Sequence, residues 1–192
     1  MTRLAYLFAA AFGLAMALAA PATAQVNIDD KLPLCSACHG ENGVPTEKNI
    51  PVIWGQHQGY IYFMLRDFKL GQRQNDAMTE IAKDLSRDEM MALAEYFSKK
   101  PWPNLNQPRA SAEDTKRAES AIVSGQCGAC HGEQGMGDSV QPRIAGQQRD
   151  YLLLTLTEFR SRKRTNNPWM SDILGTLAPE DMDALANYMA GR

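Results

Sequence analysis

Histidine and cysteine are scarce in this sequence, and charge of neither sign dominates it. The 192 residues include three histidines and four cysteines, and the formal net charge is −2. This balance gives no indication of nucleic-acid binding, which needs a basic surface. After residue 24 no run is long and apolar enough to span a bilayer. No segment shows the alternating pattern of a convincing strand, so the sequence predicts an all-α protein.

The first 24 residues differ from the rest. Arg3 supplies a short positive start, residues 4–20 are almost entirely apolar, and residues 22–24 read Ala-Thr-Ala. This order is typical of a secretory signal peptide, and we expect residues 1–24 to be cleaved after Ala24. Export would place a soluble mature chain in the periplasm, an oxidising compartment. An uncleaved membrane anchor is the alternative, because the apolar run of about 17 residues is near spanning length.

The chain contains an internal repeat. Cys35 and Cys127 are 92 residues apart, and the same offset relates Met78 to Met170. Between these pairs the offset falls to 91, which one deletion and one compensating insertion explain. The period is far longer than that of a solenoid, and there are only two copies. The repeat therefore predicts two whole domains in tandem.

A proline-containing segment separates the two copies. Residues 101–108 include three prolines and have the character of a linker. The predicted domains are then residues 25–100 and residues 109–192. Each has about 80 residues, which is marginal for a stable core unless a further covalent link or cofactor stabilises the domain. A large covalently bound group would provide this stabilisation.

Each domain contains two amphipathic stretches with apolar residues at helical spacing. They cover residues 61–68 and 90–97 in the first domain and residues 152–159 and 182–189 in the second. Residues 112–124 also predict a helix. At the start of the last helix of the first domain, Ser86 and Glu89 indicate a capping box, while the second domain has Ala178 followed by Pro179.

The cysteines occur in two Cys-x-x-Cys-His segments, residues 35–39 and 127–131. This pattern is the c-type haem attachment signature. Two thiols add to the two vinyl groups of a porphyrin, and one helical turn brings both cysteines and the histidine to one face. A redox dithiol would need a βαβ setting, and a zinc site would take both pairs together. The sequence therefore predicts two covalently bound haem c groups, held by Cys35, Cys38 and His39 and by Cys127, Cys130 and His131.

The second axial ligand of each iron is a choice between histidine and methionine. His57 is the third histidine, and its repeat position holds a glutamine, so two bis-histidine haems are excluded. We interpret His57 as a surface or packing residue. Two methionine pairs follow the repeat. One of them, Met90 and Met182, has a structural role available as the partner of a leucine in a hydrophobic staple.

The other methionine pair is assigned to iron. Met78 and Met170 lie in loop-like stretches without a helical pattern, each 39 residues after its histidine. A thioether ligand raises the reduction potential, and a six-coordinate iron has no vacant position for a substrate. We therefore expect an electron carrier and not an enzyme. A dihaem peroxidase would need an open iron.

At this point the sequence resembles the dihaem cytochrome c4 family over essentially the whole mature chain. The resemblance includes both Cys-x-x-Cys-His segments, two Gly-Gln pairs that each precede a tyrosine, and the run from Met78 to Ser86. In the second copy Leu174 replaces alanine, Ala178 replaces serine, and Trp169 stands beside the methionine. The Gly-Gln pairs are Gly55-Gln56 before Tyr60 and Gly146-Gln147 before Tyr151.

The resemblance implies two cytochrome c domains related by a pseudo-twofold axis, with haem edges facing across the interface. It also implies transfer of single electrons from a quinol-oxidising complex to a terminal oxidase, often of the cbb3 type. The alternative is a non-catalytic cytochrome subunit of a periplasmic dehydrogenase, such as a flavocytochrome c sulfide dehydrogenase. Peripheral association with the membrane stays open.

A basic cluster precedes the second candidate methionine. It is formed by Arg160, Arg162, Lys163 and Arg164. One interpretation is a docking patch for an acidic redox partner, because charge complementarity speeds encounter. The alternatives are a solvated loop or basic groups that pair with haem propionates.

Overall fold

The computed structural model describes residues 26–192, and the predicted signal peptide lies outside them. Within this range the chain forms nine helices and no strand; the only ladder contact is an isolated bridge between Asp138 and Gln141. No helix among the described residues combines the length and apolar character needed to cross a membrane. The helices are α1 Leu32–His39, α2 Gln58–Lys69, α3 Asp76–Ala82, α4 Arg87–Ser98, α5 Ala112–Ser124, α6 Gly128–His131, α7 Arg149–Arg160, α8 Pro168–Gly175 and α9 Pro179–Ala190.

The order of the helices repeats. The series α1 to α4 corresponds to the series α6 to α9, and each series begins with the helix that carries the second cysteine and the histidine. Helix α5 packs against α9, and residues 99–111 between α4 and α5 contain no helix. The predicted all-α class and the predicted helix over residues 112–124 are confirmed.

In the first domain, helices α2 and α4 pack together because each buries one apolar face. Ile61 and Leu65 of α2 meet Leu93 and Phe97 of α4 in one cluster. The second domain repeats this packing with α7 against α9, and α5 adds a further layer. Its larger cluster is Ala118, Ala121, Phe159, Leu174, Leu177, Met182, Ala184 and Leu185.

The last helix of each domain starts differently. In α4 the Ser86 hydroxyl accepts a hydrogen bond from the Glu89 amide at 3.2 Å, and the Ser86 amide donates to the Glu89 carboxylate at 2.7 Å. The predicted capping box is therefore confirmed. In α9, Ala178 has no side-chain acceptor, and only the return bond forms, from its amide to the Asp181 carboxylate at 2.9 Å. Pro179 in the first turn compensates in part, because its φ is already fixed for a helix.

Two short helices differ from the sequence prediction. The loop-like stretches around Met78 and Met170 are helices α3 and α8, and each methionine is the third residue of its helix. The cause is a side-chain cap: Asn75 accepts from the Met78 amide at 3.1 Å, and Asn167 accepts from the Met170 amide at 3.3 Å. Helices of seven and eight residues are too short to show a clear apolar period.

We predict that Leu93→Ala lowers the free energy of unfolding by about 3 kcal/mol, because it leaves a cavity in a packed core. The Leu93 side chain is 1% exposed, whereas Leu70 is 59% exposed. The matched substitution Leu70→Ala should change stability by less than about 0.5 kcal/mol. Denaturant unfolding followed by circular dichroism measures both, and equal effects would show that the α2–α4 cluster does not stabilise the domain.

Candidate functional site

None of the four cysteines forms a disulfide. Cys35 and Cys127 are partly buried, while Cys38 and Cys130 are exposed. Burial raises the pKa of the Cys35 thiol to about 11 and raises the pKa of Cys127 in the same direction. A redox dithiol needs a thiol with a lowered pKa, so this environment does not fit that alternative.

The two cysteine pairs do not meet. Among residues 26–192 no group of three or more His, Cys, Asp or Glu side chains gathers as a metal cluster. A zinc site shared by both pairs is therefore not formed. Each cysteine pair instead stands alone with the histidine that follows it.

Both of these histidines are held in the same way. His39 Nδ1 lies 2.8 Å from the Pro51 carbonyl oxygen, and His131 Nδ1 lies 3.0 Å from the Pro142 carbonyl oxygen. A carbonyl only accepts, so Nδ1 must carry the proton and Nε2 keeps its lone pair. Burial lowers the pKa of both imidazoles, against a smaller opposing effect of the proline carbonyls. Each ring is thus a neutral imidazole with Nε2 ready to bind a metal.

The candidate methionines lie at the edge of each core. Met78 is partly buried and packs against the cluster that Cys35 also contacts. Met170 is partly buried against the corresponding cluster of the second domain. Met90 and Met182 are instead 4% and 2% exposed within those clusters, as their predicted packing role requires.

His57 connects the two domains. Its Nε2 lies 2.8 Å from the Met136 carbonyl oxygen, and its backbone begins helix α2. This ring nitrogen is therefore engaged with the other domain. The interpretation of His57 as a packing residue is confirmed.

A partly buried polar cluster fills the same interface. Tyr60 and Arg73 of the first domain meet Tyr151 and Arg164 of the second, and an Arg73 NH2 group donates to the Tyr151 hydroxyl at 3.1 Å. Burial by itself would raise the pKa of Tyr151, but the two guanidinium groups outweigh it and bring the value to about 7. Burial and the neighbouring Tyr151 raise the pKa of Tyr60.

Arg164 is the least satisfied member of this cluster. It is 6% exposed, its Nε donates to Asn166, and one NH2 group lies 3.3 Å from the Met64 sulfur. Its other NH2 nitrogen is buried and has no hydrogen-bond partner among the described residues. A buried guanidinium with a free N–H is costly unless an anion completes it. The site therefore fits a ligand that brings carboxylates to the interface, as haem propionates would.

Of the interpretations left open for the basic cluster, neither a docking patch nor a solvated loop fits Arg164, which is enclosed between the domains. Arg162 pairs with Asp172 at 2.7 Å, and Lys163 pairs with Glu158 at 3.0 Å. Arg160 donates to the Leu177 carbonyl at 3.2 Å. The sequence could not reveal these partners, because they lie on neighbouring turns and helices. The cluster is much less positive than its composition indicates.

Comparison with known proteins agrees with this geometry. The family model described as Cytochrome c matches residues 117–192. Cytochrome c4 from Thiocapsa roseopersicina is 32% identical over 169 residues, which cover 82% of this chain and 86% of that protein. The crystal structure of reduced recombinant cytochrome c4 from Pseudomonas stutzeri superposes with a TM-score of 0.75 at 29% identity, covering 84% of this chain and 95% of the other.

A further relative has a different name. The thiosulfate dehydrogenase electron acceptor of Stutzerimonas stutzeri strain A1501 is 32% identical over 169 residues. The alignment covers 81% of this chain and 77% of that protein.

The repeated helices and the two cysteine–histidine segments define a c-type cytochrome with two domains and two covalently bound haem c groups. Such proteins are electron carriers and not catalysts. Within this class the chain belongs to the cytochrome c4 family.

We predict that the double substitution Cys35→Ala and Cys38→Ala halves the covalently bound haem, because the thioether bonds of one domain are lost. The equivalent change at Cys127 and Cys130 should do the same for the other domain. Iron analysis and intact mass measure this after acid–acetone extraction. Two haems remaining in either variant would contradict the assignment of one haem to each segment.

Proposed function

We propose that Cys35, Cys38, His39 and Met78 hold one haem, and that Cys127, Cys130, His131 and Met170 hold the other. The observation that carries this proposal is the repeated hydrogen bond from each histidine Nδ1 to a proline carbonyl. It fixes the tautomer and presents Nε2 as the ligand in both domains. When bound, the haem supplies a one-electron couple between ferrous and ferric iron.

The chain's own groups suit that couple to electron transfer. A methionine thioether is a neutral ligand that raises the reduction potential. Histidine and methionine together would leave no open position, so no substrate could bind at the iron. The Asn75 and Asn167 caps hold the methionine backbones in place, which favours transfer with little rearrangement.

The interface arginines are the proposed partners of the haem carboxylates. Arg73 and Arg164 bring two positive charges beside two partly buried tyrosines, and Arg164 has an N–H group without a partner. Such groups would keep propionates charged inside the protein, because a buried carboxylate needs a paired cation. This assignment gives Arg164 the propionate role that the sequence left open.

The domain bounds and the processing of the chain are also proposals. The first domain takes residues 25–100, the linker residues 101–108, and the second domain residues 109–192. Residues 1–24 form the signal peptide, and the mature chain works in the periplasm. The helix-free segment of residues 99–111 supports the position of the linker.

We predict that Met78→Ala and Met170→Ala each remove one methionine-to-iron charge-transfer band, because each change would take away one proposed sulfur ligand. Each variant should also bind carbon monoxide at one reduced haem, whereas the unaltered protein binds none at neutral pH. The near-infrared edge of the absorption spectrum and a carbon monoxide titration measure these changes.

Met90→Ala and Met182→Ala are the matched controls. Both remove a buried methionine from a core helix, so they should reduce stability and keep both bands. Loss of a band in a control variant, with no loss in Met78→Ala or Met170→Ala, would show that the other pair binds iron.

For its place in electron transport, we propose that the protein accepts electrons from a quinol-oxidising complex and passes them to a terminal oxidase, with a cbb3-type enzyme as the candidate. The family membership and the proposed ligands support this role. A second candidate donor is a thiosulfate dehydrogenase, because a relative that matches most of this chain is named as its electron acceptor.

We predict that a purified quinol-oxidising complex with quinol reduces both haems rapidly, because its one-electron output matches a high-potential acceptor. Stopped-flow absorbance measures the rate, and thiosulfate dehydrogenase with thiosulfate is run in parallel. Each donor substrate without its enzyme is the control. If only the thiosulfate system reduces the haems rapidly, the quinol-oxidising complex is not the donor and thiosulfate dehydrogenase takes its place.

A further inference from the structure

Two buried glutamines cross the domain interface at equivalent positions of the repeat. Gln56 and Gln147 are each 3% exposed. The Gln147 Oε1 atom accepts from the Val52 amide at 2.8 Å, and its Nε2 atom donates to the Val52 carbonyl at 2.9 Å. The Gln56 Oε1 atom accepts from the Arg143 amide, and its Nε2 atom donates to the Arg143 carbonyl, both at 2.9 Å. Each carboxamide therefore pairs with both polar groups of one residue in the other domain.

Val52 and Arg143, which the glutamines bind, each directly follow a proline whose carbonyl accepts a hydrogen bond from a histidine. The Val52 amide belongs to the same peptide group as the Pro51 carbonyl, which accepts from His39 Nδ1. One rigid planar unit thus accepts from the histidine on one side and donates to Gln147 on the other. The same relay runs from His131 through the Pro142–Arg143 peptide to Gln56.

Each glutamine is also fixed in its own domain. The glycine before it adopts a positive φ, +68° at Gly55 and +71° at Gly146, which residues other than glycine adopt with strain. The Gly55 amide donates to Phe97 at the end of α4, and the Gly146 amide donates to Met189 at the end of α9. A shift of one domain relative to the other would therefore move the glutamine against the peptide that it binds.

We propose that Gln147 orients and polarises His39, and that Gln56 does the same for His131, so that each domain tunes the axial histidine of the other. This inference rests on the proposed role of the two histidines as iron ligands. Both glutamines are positioning residues, since each acts through one peptide group and touches neither iron nor histidine.

The direction of the effect follows from hydrogen-bond cooperativity. When Gln147 accepts from the Val52 amide, the peptide group is polarised and the Pro51 carbonyl becomes a stronger acceptor. A stronger bond from His39 Nδ1 makes the imidazole a better electron donor, which favours ferric iron. Loss of the glutamine should therefore raise the reduction potential of the haem in the opposite domain.

The test uses Gln147→Met and Gln56→Met in the full-length holo-protein, since methionine keeps the length and removes both hydrogen bonds to the other domain. It also removes the bond that each Oε1 atom accepts from the amide of the next residue. For Gln147→Met we expect a higher potential for the His39 haem and up to about twofold faster solvent exchange of the His39 Nδ1 proton, because the bond to the Pro51 carbonyl is weakened by a fraction of one hydrogen bond and not lost. Gln56→Met should affect the His131 haem in the same way. Spectroelectrochemical titration gives the potentials, and proton NMR of the hyperfine-shifted histidine signals gives the exchange rates.

His57→Leu is the matched control, because it removes another hydrogen bond across the interface and leaves both glutamines in place. It should leave the ratio of the two Nδ1 exchange rates unchanged. If a methionine variant does not fold, Gln147→Asn or Gln56→Asn takes its place, since the shorter carboxamide keeps the polarity but cannot reach both atoms of its partner.

A change in reduction potential and in Nδ1 exchange rate that is confined to the opposite domain supports the relay. An equal change in both domains, a change confined to the glutamine's own domain, or no change would overturn it. Failure of His39 and His131 as iron ligands is separate, because the unaltered protein would then lack two hyperfine-shifted histidine signals before any substitution was made.

Discussion

The hydrogen bond between each histidine Nδ1 and a proline carbonyl is the interaction on which the rest of the site depends. It fixes the proton on Nδ1 and leaves Nε2 as the ring nitrogen that is free to bind iron. Helices α1 and α6 bring the cysteines beside it, and the loop after each helix brings the carbonyl back to the ring. Each domain therefore positions two cysteines and one histidine in the same arrangement.

The interface adds a second constraint to each of these sets. The proline peptide group that accepts a hydrogen bond from a histidine also donates one to a glutamine of the other domain. The two sites are therefore coupled. Nearby, Arg73 and Arg164 concentrate positive charge between the domains and leave one N–H group for an anion. The inner surface thus combines neutral amides that position the ligands with cations that suit carboxylates. On the outer surface, by contrast, Arg162 and Lys163 pair with Asp172 and Glu158.

Sequence and structure agree where the signal is local or periodic. The Cys-x-x-Cys-His segments, the capping box at Ser86 and the helix over residues 112–124 needed no tertiary information. Helices α3 and α8 were missed because they are too short for a visible period, although an asparagine before each offered a capping signal. The burial of Arg164 could not be predicted from a cluster of four basic residues, since it depends on the approach of the other domain.

The departures of the second copy from the first also have physical explanations. Leu174 replaces Ala82 but is equally buried, because it packs in the larger cluster that helix α5 helps to build. Ala178 replaces Ser86 and loses half of the capping box, while Pro179 supplies a favourable first turn. Neither change removes a candidate ligand.

X-ray absorption at the iron edge tests the central claim most directly, because it counts sulfur neighbours without any substitution. The account predicts one sulfur ligand for each iron, averaged over both haems, with nitrogen in the remaining positions and the same coordination in both oxidation states. An average near one half would mean that only one domain uses its methionine. A shell without sulfur would contradict the proposed ligand set in both domains.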